Sequence, residues 1–255
     1  MSLDLIIVIP ARGGSQRVPR KNLAVLGGRP LIDYSFDLLR KTNLTKRAWI
    51  STEDEEIAAH TRAAGLQVID RPAELAGYDT PTEAVLLHAL DTLEHQPDWI
   101  MTLQPTNPFR TQETLLKVIA AAESAPDTVD CILTVTPTLG DFWRKEAGQL
   151  QRLFPDAPRS QQARQAAGLG LLEENSAIYL TRTQALLHAE TGNSIAPILG
   201  RAVHGVEIGR KEAWDINTPE DLRLAEAMLK PRANAATKRD PASGHRAKSW
   251  HPQPD

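Results

Sequence analysis

Along this chain, short uninterrupted apolar runs alternate with longer segments in which apolar residues recur every three or four positions. A short bounded apolar run reads as a buried strand, and the three-to-four spacing reads as a helix with one face on a core. Residues 3–9 thus pair with a helix at 30–41, residues 48–51 with 54–64, residues 67–69 with 82–93, and residues 99–103 with 111–124, ahead of a further run at 131–135. Strands alternating with helices of this length build βαβ units. The expected fold is α/β, a three-layer αβα sandwich around a mostly parallel sheet. Such crossovers are right-handed, so the loops that leave the strands gather along one sheet edge. That edge would carry residues 10–22, 52–53, 70–81 and 104–110.

The rhythm breaks between residues 136 and 174, where Pro137, Gly140, Pro155 and Pro158 interrupt polar, glutamine-rich sequence. This is the mark of an inserted subdomain. Strand-like runs return at 176–181 and 202–208, and a closing helix is expected at 218–229, with Pro219 in its first turn and Glu220 and Asp221 favouring the N-terminal dipole. With 255 residues, 41% hydrophobic and 24% charged, the chain can bury one sizeable core. It reads as one domain over 1–229 followed by a basic tail over 230–255.

From Pro231 on, that tail holds five of the 29 Lys and Arg but only two of the 32 Asp and Glu, leaving the residues before it with 24 basic against 30 acidic groups. It is proline-rich and poor in large apolar residues, the composition of a disordered segment. A mildly acidic body argues against nucleic acid as a partner. The single cysteine, Cys131, lies in an apolar run, which excludes an intrachain disulfide and suits a reducing, cytoplasmic setting. No run reaches the roughly 18 apolar residues of a membrane span, and Asp4 stands where a secretory leader would be basic.

The loop at 10–22 follows the first strand and holds Gly13, Gly14, Ser15, Arg12, Arg17, Arg20 and Lys21. Glycines let backbone N–H groups approach phosphate oxygens without a Cβ in the way. Guanidinium groups add bidentate contacts and lysine a point charge. The G-x-x-x-x-G-K-[ST] and G-x-G-x-x-G patterns are absent, which argues against a P-loop ATPase and a dinucleotide-binding dehydrogenase. Three more patches fall on the same edge. Arg71, after the third strand, can reach a nucleotide or form a surface ion pair with Glu74 or Asp79. Residues 104–110 form a loop stiffened by Pro105 and Pro108. In the segment 214–219, Asp215 and Asn217 are two apart and project to one side of an extended chain, offering oxygen to Mg²⁺. Asn217 or Thr218 can equally cap the closing helix.

The ordered set Ile9-Pro-Ala-Arg-Gly-Gly-Ser, Pro19-Arg-Lys-Asn22, Ser51-Thr-Glu-Asp54, Arg71-Pro-Ala-Glu-Leu-Ala76, Leu103-Gln-Pro-Thr106, Glu174-Asn-Ser-Ala-Ile-Tyr179 and Asp215-Ile-Asn-Thr-Pro-Glu-Asp221 resembles the N-acylneuraminate cytidylyltransferases and their bacterial relatives that make CMP-nonulosonates. The resemblance covers about residues 3–229. It implies a Rossmann-like nucleotidyltransferase in which the anomeric hydroxyl of a 2-keto sugar acid attacks the α-phosphorus of CTP and pyrophosphate leaves, with Mg²⁺ or Mn²⁺ on the phosphates. By position, Ala11, Arg12, Gly13, Gly14, Ser15 and Lys21 would hold the triphosphate, Asn22 and Arg71 the cytidine and its phosphate. Gln104, Tyr179 and Arg164 would hold the sugar, and Asp215 with Asn217 the metal. Arg12, Lys21 and Asp215 would carry the catalysis. The resemblance also implies a homodimer, with the insertion at 136–174 lending residues to the neighbouring site.

Three positions depart from the family. Gln16 stands where lysine is usual, with Arg17 able to compensate. Asn217 replaces a second acid, which speaks against two metals. Arg164 is better spaced than Arg159 for the sugar carboxylate. Ser176 occupies a position where glycine is more common. Residues 194–199 lack the paired phenylalanines that surround an N-acyl group, so the acceptor reads as something other than N-acetylneuraminate. Alternatives are an eight-carbon 2-keto acid or a phosphonate as acceptor, or a catalytically weak CTP-binding protein.

Overall fold

A computed structural model describes residues 3–138, 140–166, 170–188 and 196–230. The segment read as a tail, from residue 231 on, and the residues 194 and 195 lie outside this description. The sheet has seven strands: β1 (Leu5–Pro10), β4 (Ala48–Thr52), β5 (Gln67–Asp70), β6 (Trp99–Leu103), β7 (Cys131–Thr138), β10 (Leu171–Arg182) and β11 (Val203–Glu207), in the order β11-β7-β10-β6-β1-β4-β5. Short hairpins β2–β3 (Val25–Leu26, Arg29–Pro30) and β8–β9 (Trp143–Glu146, Gln149–Arg152) stand apart from it. The pairs β1–β4, β1–β6, β4–β5 and β7–β11 are parallel, while β10 runs antiparallel to both its neighbours. The sheet is thus mostly parallel, with one reversed strand near its middle.

The central strands β1, β4, β6 and most of β7 are buried on both faces, which is why they read as continuous apolar runs. Leu5, Ile7 and Ile9 of β1 point to one face and pack with Phe36 and Leu39 of α1 (Asp33–Lys41), Ile57 of α2 (Glu55–Ala63), and Leu115 and Val118 of α4 (Gln112–Glu123). Ile6 and Val8 point to the other and meet Leu86, Ala89 and Leu90 of α3 (Thr82–Leu93) and Leu186 of α6 (Thr183–Leu187). Cys131 is buried in the second cluster, and burial pushes its thiol up to about 12, so it is inert. A third cluster of Leu26, Leu31, Ile216 and Ala225 docks α7 (Pro219–Leu229) against the β2–β3 hairpin. No described helix is long and apolar enough to cross a membrane.

Among the boundaries that differ from the sequence reading, two bear on the site. The first helix starts at Asp33 rather than residue 30, because Leu31 and Ile32 donate their N–H groups to the carbonyls of Ala24 and Asn22 (2.9 and 3.0 Å) and so tie the chain back to the end of the loop that follows β1. The strand expected at 176–181 spans Leu171–Arg182, since its first half pairs with the outer half of β7. These two strand halves form an arm that carries β8–β9 and α5 (Gln161–Ala166), and this arm is the segment read as an insertion. Glu174 pairs with Val135 and Tyr179 with Leu133, so the four residues from 175 to 178 face Thr134 alone. Such a bulge bends the strand and re-aims its side chains. Thr134 Oγ1 donates to Asn175 Oδ1 (2.6 Å) and accepts the Ile178 N–H, while Asn175 Nδ2 donates to Thr136 (2.8 Å). Within it Ser176 adopts φ +58°, the left-handed region in which glycine carries no penalty.

Candidate active site

The ends of β1, β4 and β5 lie side by side, with Pro10 opposite Ser51 and Thr52 opposite Asp70. This register brings residues 11–15, 53 and 71 together at the strands' carboxyl ends, where open α/β sheets bind ligands. The Ala11 N–H prolongs the ladder to Ser51 O (2.9 Å), and Ala11 itself is fully buried. Asn22 Nδ2 clamps the loop by donating to Arg12 O (2.9 Å), leaving its buried Oδ1 without a partner.

A cavity of about 330 Å³ opens above this edge, lined by Arg12, Ser15, Lys21, Asn22, Arg71, Gln104, Asp215 and Asn217 among others. Eight residues chosen from separate stretches of sequence are therefore brought to one cleft. Arg12 donates to Gly77 O (2.8 Å) and lies 5.5 Å from the ring centre of Tyr78, which lines the same cleft. Lys21 Nζ donates to Ile216 O (2.9 Å) and Asn217 Oδ1 (3.4 Å). Burial holds its ammonium pKa below the usual lysine range, with Asp215 opposing that shift and Arg17 and Arg12 adding to it.

The two candidate metal ligands are not equivalent. Asn217 turns its amide nitrogen to Asp215 Oδ2 (2.5 Å) and its oxygen to Lys21. Asp215 Oδ1 is buried and has no partner, so the pair as placed offers one free oxygen. Among the described residues no three His, Cys, Asp or Glu converge as a cage. The capping alternative resolves to Thr218: its side chain accepts the Asp221 N–H while Asp221 Oδ2 accepts the Thr218 N–H (2.7 Å), a capping box with Pro219 at the first turn.

A second cavity of about 420 Å³ adjoins the first and shares Ser176, Asp215 and Asn217 with it. Its wall includes Thr136, Glu173, Glu174 and Asn175, presented by the arm and bulge, and Asp221, and among the described residues its one basic residue is Arg210. The loop bearing Arg210 is fixed next door, where Glu212 accepts the hydroxyls of Thr111 (3.0 Å) and Thr114 at the start of α4.

Several sequence-predicted residues lie elsewhere. Tyr179 and Arg164 line neither cavity. The Tyr179 ring is buried in the core and its hydroxyl donates to Glu174; burial and that carboxylate raise its pKa. Arg164 Nη1 donates to Asp141 (2.7 Å) and to the carbonyls of Pro158 and Arg159, so it braces the arm. Arg159 is exposed on that arm. Arg20 pairs with Asp54 and Glu56 at the start of α2, and Arg71 pairs with Glu53 rather than Glu74 or Asp79. Gly13 and Gly14 line neither cavity, and they differ from each other. A Cβ on Gly13 would lie 2.2 Å from Asp54 Oδ2, whereas one on Gly14 would meet open space.

Other residues matter that the sequence did not single out. Asn107 is buried and donates to the carbonyls of Ala213 and Trp214 (both 3.3 Å), and the Ile216 N–H donates to Thr106 O (2.9 Å), so the 104–110 loop holds Asp215 in place. Arg110 is fully enclosed and bonds Gln104 O, Ala177 O (2.9 Å) and Ser35 Oγ (2.7 Å), joining loop, bulge and α1. Burial without a carboxylate contact lowers its pKa to about 9, against the pull of Asp215. Both stand in a loop already suspected. Arg210 carried no local signal, because only the fold brings it to the cavity.

An αβα sheet whose strand ends frame a cationic cleft, joined at one carboxylate to a second polar cavity, is the architecture of an α/β protein that binds its ligand at the strands' carboxyl ends. The chain belongs to the cytidylyltransferase family, which it matches over residues 6–208. It is 26% identical over 234 residues to the CMP-N,N'-diacetyllegionaminic acid synthase of Legionella pneumophila, covering 89% of this chain and 97% of that one. It is also 26% identical over 243 residues to a 3-deoxy-manno-octulosonate cytidylyltransferase of Anaeromyxobacter dehalogenans, covering 88% and 96%. The match to the N-acylneuraminate cytidylyltransferase of Escherichia coli, also at 26%, spans 53% of this chain but only 32% of that protein. In fold it is similar to a CMP:2-keto-3-deoxy-manno-octonic acid synthetase solved with CTP (TM-score 0.62, 18% identity, covering 89% and 98%). A 4-diphosphocytidyl-2C-methyl-D-erythritol synthase from Anaerococcus prevotii is equally alike in fold (TM-score 0.64, 14% identity, covering 90% and 99%).

Proposed function

We propose that this protein transfers CMP from CTP to the anomeric hydroxyl of a nonulosonic, sialic-acid-like 2-keto sugar acid. The observation that carries this reading is the meeting of two unlike cavities at Asp215 and Ser176. Arg12, Ser15 and Lys21 give the first the charge and hydroxyl suited to a polyphosphate. The second offers a single guanidinium, Arg210, among carboxylate, amide and hydroxyl groups, which suits one carboxylate on a polyhydroxylated body. The sugar oxygen attacks the α-phosphorus, its proton is lost, and the bond to pyrophosphate breaks. The chain's part is positioning and charge stabilisation rather than covalent chemistry.

The orphaned Asp215 Oδ1 fits one Mg²⁺, or Mn²⁺, which characteristically takes one or two carboxylates and completes its shell with phosphates and water. Such an ion would neutralise charge on the phosphates, while Lys21 and Arg12 hold the leaving pyrophosphate. The arm carries Phe142, Trp143, Leu150, Leu153 and Phe154, all more than a third exposed, and this apolar surface suits a homodimer. CTP as substrate sets the reaction in the cytoplasm.

A panel of nine-carbon and eight-carbon 2-keto acids and phosphonates, incubated with CTP and Mg²⁺, tests the reading by pyrophosphate release. Release with a nine-carbon acid is expected, and no release with any member sinks it. The second reading, an eight-carbon acceptor, is favoured by the equal identity to the octulosonate relative. The same panel separates the two. In either case Arg210→Ala is expected to raise the KM for the acceptor and leave that for CTP unchanged.

A further inference from the structure

One carboxylate already holds two groups on which the phosphate cleft depends. Glu53 follows β4, the middle strand of the three whose ends frame the cleft, so it stands between the loop after β1 and Arg71 after β5. Its Oε1 accepts the Gly13 N–H at 2.7 Å and its Oε2 accepts from Arg71 Nη2 at 2.6 Å. The contacts are sheltered, with the Arg71 side chain 3% exposed and that of Glu53 18%. Arg71 lines the cleft and keeps a buried Nε–H with no partner.

An anion beneath a triphosphate would repel it unless its charge were already satisfied. Here it is: burial disfavours the charged form of Glu53, yet Arg71 and the backbone N–H groups together hold its pKa below the usual glutamate range. Glu53 is therefore a fixed acceptor for two donors. Gly13 is pinned so that the following turn faces the cleft, and Arg71 is held by one nitrogen so that its other N–H groups remain for a ligand.

We propose that Glu53 is a positioning residue for the nucleotide, a strut that locks the Gly13 turn and Arg71 into a single anion-binding unit before CTP arrives. This rests on the reading of the first cavity as the CTP site. The opposite role is also chemically meaningful. A carboxylate on these donors can act as a plug that stands in for phosphate and must be displaced. The two roles predict opposite signs.

The test is Glu53→Gln in the full-length chain, with CTP affinity by calorimetry and KM for CTP and for the acceptor measured separately. Glutamine keeps the shape and can accept one donor, but its amide nitrogen cannot accept the other. A strut predicts CTP binding weakened about ten- to a hundredfold, the loss expected when a buried charged hydrogen bond is broken, with the acceptor KM within about twofold and the chain still folded at the assay temperature, its urea midpoint lowered only by the lost contacts. Glu53→Asp, which keeps the charge but is one methylene too short to span both donors, should weaken CTP in the same way and serves if the glutamine variant does not fold. Tighter CTP binding in either variant identifies a plug and overturns the proposal, as does unchanged binding. Loss of both substrates together with a lower urea midpoint overturns it too, since that marks a merely structural residue. A wild-type chain that binds no CTP overturns the functional reading and this inference together, whereas wild-type binding with an unchanged variant overturns this inference alone.

Discussion

Replacing Gly13 by alanine should cost stability through its neighbour rather than through its own backbone. A Cβ at this position would lie 2.2 Å from Oδ2, 2.8 Å from Cγ and 2.9 Å from Cβ of Asp54, so a rotation of the carboxylate alone gives no relief. Asp54 is not free to withdraw, because its side chain caps α2 by accepting the Ile57 N–H (3.0 Å) and holds Arg20. Losing the cap costs about 1 kcal/mol, and the half-exposed Arg20 pair adds well under 1 kcal/mol after solvent screening. Shifting the loop instead breaks the Gly13 N–H contact to Glu53, again about 1 kcal/mol, and overpacking strain typically adds about 1–3 kcal/mol. Whichever route is cheaper, the expected loss is about 2–3 kcal/mol, or about 4–12 °C in Tm for a domain of this size. Urea unfolding of Gly13→Ala against wild type measures it. A midpoint within about 0.5 kcal/mol of wild type would show that Asp54 yields freely and would refute the packing argument.

Gly14→Ala is the matched contrast: its Cβ meets open space, so unfolding should match wild type while KM for CTP rises about tenfold if phosphate approaches the loop backbone there. Lys21→Met should lower kcat/KM about 10²-fold or more. Lys21 has its pKa lowered in the fold, so the unfolded chain binds that proton more tightly; stability should rise with pH between the folded value and about 10.4, and Lys21→Met should flatten that slope in pH-dependent unfolding. Ser176→Gly should relieve the left-handed backbone by about 1 kcal/mol, partly offset by loss of the 3.2 Å contact from Tyr179, giving a slightly higher urea midpoint. Arg110→Met should destabilise by about 3–5 kcal/mol by orphaning Gln104 O, Ala177 O and Ser35, and an unchanged midpoint would show that water replaces it.

Local pattern carried most of the fold. The strand at 99–103 and the helix at 82–93 fall on the observed β6 and α3 residue for residue, since each is a bounded apolar run or a clear three-to-four stripe. The reversal of β10 between β6 and β7 was not legible, because strand order is a property of pairing between residues far apart in sequence, from Leu171 with Thr138 to Arg182 with Trp99. In the site, residues whose chemistry is intrinsic to their type and loop, such as Arg12, Lys21, Asn22, Arg71 and Asp215, could be named from sequence. Those whose role depends on where a partner lies could not. Tyr179 and Glu174 are five apart but meet across the bulge, and Arg164 is spent on Asp141, a residue of the same arm. Arg210 became visible only as a member of the second cavity.

The four residues of β10 that face one residue of β7 also bear on how this protein can change. A regular strand transmits any insertion along its whole length, turning every later side chain to the wrong face. Here the surplus residues form an irregular joint, tied to Thr134 and Arg110, between the outer arm and the buried half of the strand, where Ile178 and Leu180 keep their places in the core. An added or deleted residue in the arm can be taken up at that joint, so the wall of the second cavity is free to be rebuilt while the folding half of the strand stays in step. The wall of the second cavity and the packing of the core are thereby governed by separate stretches of one continuous strand.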